Sequence, residues 1–313
     1  MTPNHFPTLV VGGGIAALLY SYYFKVPVVM AQLSPLPLCA YLHDTEEARK
    51  FLYNIGIDPV RQEVSHAVFW NGLMDMWPGS EASHRAYFEK TRKVEMEIDT
   101  FHRAKGATSQ FSIARMSQVY IELYQRLKLE GLVFNFFDVE VTKTWDGKIA
   151  VMDKLARHQL TCNDLKLAMP PEAIGISEVQ QNRPHVHNCY DTFKVDTNMS
   201  LQEIIYVCDA DLVPYRISKL THDMLLVEHA YENTSYPMEV IQEDLEKVLM
   251  AEAEVWHKLE TTHLGRRTNF GFYERQYNLP DGVELIGRVA NGNTLLTHHL
   301  IEKFAAEAAC TAL

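Results

Sequence analysis

Thr8-Leu9-Val10-Val11-Gly12-Gly13-Gly14-Ile15-Ala16-Ala17 is the stretch that decides how the chain is read. A β-branched apolar run predicts a strand, three glycines interrupt it, and the apolar stretch from Ile15 to Phe24 predicts a helix. A second apolar run, Val26 to Ala31, predicts the next strand. The spacing is G-x-G-x-x-A in the strand–turn–helix context that a dinucleotide fingerprint requires. Gly12 would make the tight turn, and Gly14 would let the backbone approach a pyrophosphate. Ala17 is small enough for close helix–strand packing. The helix N-terminus, at Ile15 and Ala16, offers free N–H groups and a partial positive charge to phosphates. The place about 20 residues on, where an Asp or Glu would hold a ribose hydroxyl, belongs to Gln32. Glutamine hydrogen-bonds a hydroxyl without charge assistance.

The composition sets outer bounds. The chain has 313 residues, 47% hydrophobic and 22% charged, which excludes a disordered or collagen-like protein. That length suits two domains or one large discontinuous domain. Lys+Arg total 29 and Asp+Glu 40, a formal net charge of −11. The acidic balance disfavours non-specific binding to nucleic acid or an anionic membrane, while leaving room for a local basic groove. Cys39, Cys162, Cys189, Cys208 and Cys310 are scattered, as reduced thiols of a cytoplasmic protein are. Met1-Thr2-Pro3-Asn4-His5 lacks the positive region of a secretory leader. Leu9 to Leu19 falls short of the roughly 20 apolar residues that cross a bilayer. His185 and His187 have no Cys or carboxylate spaced to complete a ligand set, so no metal site is expected. A Gly-x-Ser-x-Gly elbow and a P-loop are both absent, leaving hydrolase and NTPase readings unsupported.

Near the other end, Val283-Glu284-Leu285-Ile286 reads as a strand ending at Gly287-Arg288. The polar loop Asn291-Gly292-Asn293-Thr294 follows, then a helix from about Leu295 to Ala309. Leu296, Leu300, Phe304 and Ala308 give that helix a buried face.

Val283 to Leu300 resembles the C-terminal flavin motif of the UDP-galactopyranose mutase and flavin amine oxidase superfamily. Three more segments agree in order. Phe134 to Val141 resembles the strand whose backbone meets the adenine, which implies a cofactor contact at Val139. Asp164 to Pro170 resembles the strand that returns to the flavin domain and ends in proline. Tyr206 to His229, with Tyr215-Arg216-Ile217-Ser218, resembles a substrate-domain hairpin. The resemblance implies FAD as cofactor. It implies that Arg288, after Gly287, neutralises the pyrophosphate, and that the helix N-terminus at Thr294 and Leu295 faces the isoalloxazine. On this reading His298, in the first turns of that helix, is a candidate catalytic residue. Arg216 either grips an anionic substrate group or pairs with a carboxylate in its own sheet. Tyr277 either walls the substrate cavity or belongs to the core.

The middle of the chain carries local signals. Asp44-Thr45-Glu46-Glu47 begins a capped helix that runs to Ile55 and stops at Gly56. Asn71-Gly72 predicts a hairpin turn, Ser80 starts a helix, and Pro237 opens another that is expected to reach about Leu259. His84 to Lys93 is basic with interleaved aromatics, which suits a phosphate-docking patch or, more simply, an amphipathic helix with a solvated face. The resulting expectation is an α/β protein. A Rossmann-type FAD-binding domain (1–43, 112–170 and 264–313) holds an inserted α+β substrate domain (44–111 and 171–263). The expected activity is amine-oxidase-like, a hydride passing from a small amine or alcohol carbon to flavin. The rivals are a sugar-nucleotide isomerase of the mutase type acting on a nucleotide-sugar, a flavoenzyme oxidising a group on a nucleic acid, and a non-catalytic escort of the same fold.

Overall fold

The computed structural model describes residues 4–31, 41–76, 79–91, 110–176, 187–198, 201–231, 235–252, 258–270, 277–287, 290 and 297–311. The glycine-bearing segment folds as its pattern dictates. Strand β1 (Asn4–Val11) leads through the glycines into helix α1 (Ile15–Phe24) and strand β2 (Val28–Met30). Leu9, Val10 and Val11 are all fully buried, as residues of a central parallel strand covered on both faces must be.

β1 is the middle of a seven-stranded sheet. On one side it pairs in parallel with β2, and β2 with β8 (Val133–Asn135). On the other it pairs in parallel with β11 (His158–Leu167) over its whole length, Val11 opposite Leu167. β11 then serves two neighbours along the same edge. Its first half is antiparallel to β10 (Ile149–Asp153), which continues to β9 (Val139–Lys143). Its last three residues pair in parallel with β17 (Val283–Leu285).

Four helices cover one face of this sheet: α1, α2 (Glu46–Ile55), α4 (Met116–Leu129) and the C-terminal α6 (Thr297–Thr311), while α3 (Glu81–Thr91) and α5 (Met238–Leu249) lie elsewhere. Their core joins Leu18, Phe51, Leu123, Leu300 and Phe304. α2 begins and ends where expected. Thr45 accepts from the Ala48 N–H at 3.2 Å, and Gly56 takes the left-handed conformation at φ 87°. No described helix is long and apolar enough to cross a membrane.

The second seven-stranded sheet runs β16-β12-β15-β14-β13-β5-β6. It comprises β5 (His66–Trp70), β6 (Leu73–Met76), β12 (His187–Thr197), β13 (Ile204–Val207), β14 (Arg216–Lys219), β15 (Met224–Tyr231) and β16 (Leu259–Phe270). All its pairings are antiparallel except β5 with β13. The β5–β6 turn has Asn71 at φ 52° and Gly72 at φ 74°, the left-handed pair that an Asn-Gly hairpin uses. A three-stranded sheet, β3 (Tyr41–His43), β7 (Gln110–Arg115) and β4 (Gln62–Val64), joins the start and end of the 44–109 excursion.

Two expectations change. The helix opened by Pro237 ends at Leu249 and a short 3-10 turn, Met250–Glu252; Leu259 instead opens β16. Thr261 and Thr262 favour a pleated strand, and pairing with β12 overrides helical spacing. β16 also runs across the expected 263/264 domain boundary.

One face of the second sheet packs on α5 through Phe193, Val195, Val227, Ile241, Leu245 and Val248. A charge cluster lies within the same sheet. Asp191 is fully buried and accepts from His229 Nε2 at 2.8 Å, His263 Nε2 at 2.9 Å and Arg266 Nε at 3.0 Å. Burial raises the Asp191 pKa, but the His229 and Arg266 contacts outweigh it and hold the carboxyl below its ordinary value.

Candidate cofactor and substrate site

The glycines form the turn between β1 and α1 by close approach. Gly12 N–H donates to Val29 O at 3.0 Å. A Cβ at Gly12 would lie 3.0 Å from that of Ala168, just beyond the end of β11. Gly14 is the N-cap of α1 at φ −95° and ψ 173°, and it supplies only backbone, its carbonyl accepting from Ala17 and Leu18. No side chain caps this helix end, and no acidic residue sits in the first turn. A Cβ at Gly14 would meet nothing within 4 Å. The N-terminal turn of α1 is therefore an uncapped, open helix end whose first N–H groups lack intrahelical partners. That suits a dinucleotide's pyrophosphate.

The far end of the chain arrives at the same place. β17 pairs with β11, Ile286 N–H donates to Leu167 O at 2.8 Å, and Gly287 turns at φ 70°. A Cβ there would stand 2.6 Å from the Ala16 Cβ. Gly12, Gly14, Ile15, Ala16 and Gly287 are thus gathered around one helix end. Val139, by contrast, opens β9 and packs in the apolar core with Val29, Ala31 and Phe136. Gln32, Arg288, Thr294 and Leu295 lie outside the described residues.

A second group meets at the first turn of α6. The His298 ring lies 4.9 Å from that of His43, the last residue of β3, and 4.0 Å from that of His299. His298 Nδ1 is buried with no hydrogen-bond partner. Burial, helped by His43 and His299, pushes the His298 pKa down to about 4. His43 is also lowered, by burial first, then by His299 and by the charge of Arg216. Arg216 belongs to β14, so the second sheet reaches this cluster. Its guanidinium grips the buried Glu228 through Nε at 2.5 Å and Nη2 at 2.7 Å, and Tyr215 donates to the same carboxylate at 3.3 Å. Of the two roles expected for Arg216, the carboxylate pair is formed. About a third of its side chain remains exposed.

The lowered His298 pKa has a consequence for stability. Between about pH 6.5 and 4 the unfolded chain binds a proton at this imidazole that the native state refuses, so stability falls as pH drops through that window. The full effect is about 3 kcal/mol. Urea melts at pH 6.5 and 4.5 are expected to show a smaller loss for His298→Asn than for the parent chain; equal losses would refute the assignment.

Other expected features are structural. The Tyr277 hydroxyl donates to Glu172 at 2.9 Å, tying the approach to β17 onto the 3-10 turn after β11. In α3, Tyr87 and His84 are buried, and Lys90 donates to the Asp209 carbonyl at 2.6 Å. Burial lowers the Lys90 pKa to about 8. The exposed positions Glu81, Arg85 and Glu89 mix both signs, as an amphipathic helix with a solvated face does. Arg92, Lys93 and His185 lie outside the described residues. Among the described residues no group of His, Cys, Asp or Glu is arranged to hold a metal.

Three contributors carried no sequence signal. His43 becomes notable only when α6 packs on β3. Tyr120 in α4 donates its hydroxyl to Gly13 O at 2.7 Å, a contact across 107 positions. Arg115, the N-cap of α4, reaches the Tyr41 hydroxyl at 3.2 Å and the Leu220 carbonyl at 3.3 Å, strapping the small sheet to the second large one.

No protein-family model and no curated protein sequence matches the chain. Solved structures do match. A geranylgeranyl bacteriochlorophyll reductase-like protein from Thermoplasma acidophilum aligns over 98% of this chain and 78% of its own, at TM-score 0.60 and 11% identity. Putrescine oxidase bound to putrescine aligns over 98% and 99%, at TM-score 0.54 and 11% identity. The flavin-dependent monooxygenase PieE, in complex with FAD and substrate, aligns over 98% and 57%, at TM-score 0.56 and 11% identity. The chain therefore has the mixed α/β fold of FAD-dependent oxidoreductases, with a parallel Rossmann-type sheet and an antiparallel substrate-domain sheet.

Proposed function

We propose that the chain binds FAD non-covalently and is an oxidoreductase of amine-oxidase-like type, acting on a carbon that bears nitrogen or oxygen in a small amine or alcohol. The supporting observation is the contact of Gly287 with Ala16 beside the open helix end at Gly14. Bound there, FAD supplies the two-electron acceptor for the hydride. The uncapped N–H groups at Ile15 and Ala16 would hold the pyrophosphate, and Arg288 would neutralise it, as the resemblance implies. On the same resemblance, Gln32 would take the ribose, the backbone at Val139 would meet the adenine, and Thr294 and Leu295 would favour charge on the isoalloxazine. His298 Nδ1, neutral above about pH 5 given a pKa near 4, is an acceptor for the substrate's N–H or O–H. It is too weak a base to keep the proton at neutral pH, so it orients the substrate. The Arg216–Glu228 pair borders the same junction and, through its exposed edge, meets an anionic group if the substrate carries one. The domain division stated above separates the two large sheets except at β16, which crosses its 263/264 boundary. Among the described residues no disulfide joins Cys162, Cys208 or Cys310, which suits a reducing cytoplasm.

The test begins with colour. The purified chain is expected to carry flavin absorbance or to acquire it with added FAD, and an anaerobic panel of amines and alcohols should contain compounds that bleach it. Gly14→Asp is the decisive variant. Its Cβ meets open space and its φ suits any residue, so the fold survives and the helix gains a cap. The new carboxylate sits where the pyrophosphate belongs, and FAD affinity is expected to fall roughly a hundredfold. A colourless chain indifferent to FAD, or undiminished affinity in the variant, would overturn the reading.

A further inference from the structure

The geometry points to Tyr120 as a positioning residue that aims the glycine turn at the cofactor's pyrophosphate, an inference that rests on the FAD reading. Tyr120 lies one turn inside α4, is 6% exposed, and donates its hydroxyl to the Gly13 carbonyl at 2.7 Å. Gly13 C=O and Gly14 N–H belong to one planar trans peptide, so they point in opposite directions. Holding the carbonyl against α4 therefore turns the Gly14 N–H away from α4. Gly14 is the residue at which an added Cβ meets only open space, and no side chain caps its helix.

The need for such an anchor follows from the sequence. Three consecutive glycines leave the peptide between Gly13 and Gly14 freer to rotate than any other pair of residues would. Gly12 is fixed by its bond to Val29 and its approach to Ala168, and Gly14 by the start of α1. Gly13 lies between them, and Tyr120 supplies a side-chain hydrogen bond to it. A phenol suits the task because it donates without carrying charge, so it neither competes for the phosphates nor repels them.

The experiment compares the parent chain with Tyr120→Phe, stripped of cofactor and titrated with FAD, ADP and riboflavin. ADP carries the pyrophosphate and riboflavin lacks it. FAD and ADP are expected to weaken about fivefold to tenfold in the variant, by the same factor. Riboflavin binding and the melting temperature of the apoprotein are expected to stay unchanged. Unchanged FAD and ADP affinities would overturn the inference. So would equal weakening of all three ligands with a lowered melting temperature, the mark of a general packing role. If the parent chain binds neither FAD nor ADP, the FAD reading itself falls, and this inference with it.

Discussion

Gly287→Ala is expected to destabilise the chain by roughly 2–5 kcal/mol, combining a left-handed backbone penalty with overpacking. Gly287 sits at φ 70°, a conformation that side-chain-bearing residues seldom adopt. Its new methyl would stand 2.6 Å from the Ala16 Cβ, well inside contact distance. Neither partner yields easily, because β17 is held to β11 and α1 is packed under α6. Thermal melts are expected to fall by on the order of 10 °C, with FAD uptake reduced in parallel as α1 is pushed from its seat. Ala16→Gly separates the two parts. Alone it costs about 1 kcal/mol of helix propensity. Combined with Gly287→Ala it removes the collision and leaves only the backbone strain, so the double variant should lose less than the two single losses added together. Strict additivity would show that the two ends of the chain do not touch as described.

Asp191→Asn is expected to lose about 3–5 kcal/mol, because it strips the counter-charge from Arg266 while leaving that cation in place. The carboxylate is fully buried, and it binds a guanidinium and two imidazoles at 3.0 Å or less. An amide offers one acceptor oxygen and no charge, so at least one partner must lose its bond. Asp196→Asn is the matched control. Asp196 pairs with Lys258 at the surface, where both side chains are more than half exposed, and less than about 1 kcal/mol is expected. Since the Asp191 pKa is lowered, its stabilisation is present above the ordinary carboxylate value and is lost only as pH falls through its lower native one. A loss below about 1 kcal/mol at neutral pH would show that water enters the cluster.

The sequence made the local half of this architecture readable. Val10-Val11 before three glycines, Thr45 and Gly56 around α2, and Asn71-Gly72 between β5 and β6 each obey a short-range rule, and each folds accordingly. The segments quoted for the flavin resemblance also form strands in the expected order, β8–β9, β11, β13–β15 and β17. What stayed hidden was everything decided by distant pairing. Asp191, His229, His263 and Arg266 sit on three strands with no spacing rule to connect them. Tyr120 speaks to a backbone carbonyl, which has no side-chain signature. Leu259 reads as the end of the helix opened by Pro237, and only its pairing with Thr197 of β12 makes it strand. His43 and His298 come from opposite ends of the chain and acquire their lowered pKa values from mutual burial.

The pairing of β1 with β11 and of β11 with β17 also orders events during synthesis. The glycine turn precedes β11 in the chain, so β1 can pair with β2 but lacks β11 until Leu167 has emerged. The collar at Gly287 is missing until nearly the whole of the described chain is out. Long-range parallel pairing is slow to form and leaves strand edges bare in the meantime. The approach of Gly287 to Ala16 therefore closes only after the last described strand has paired, and earlier fragments leave the β11 edge bare.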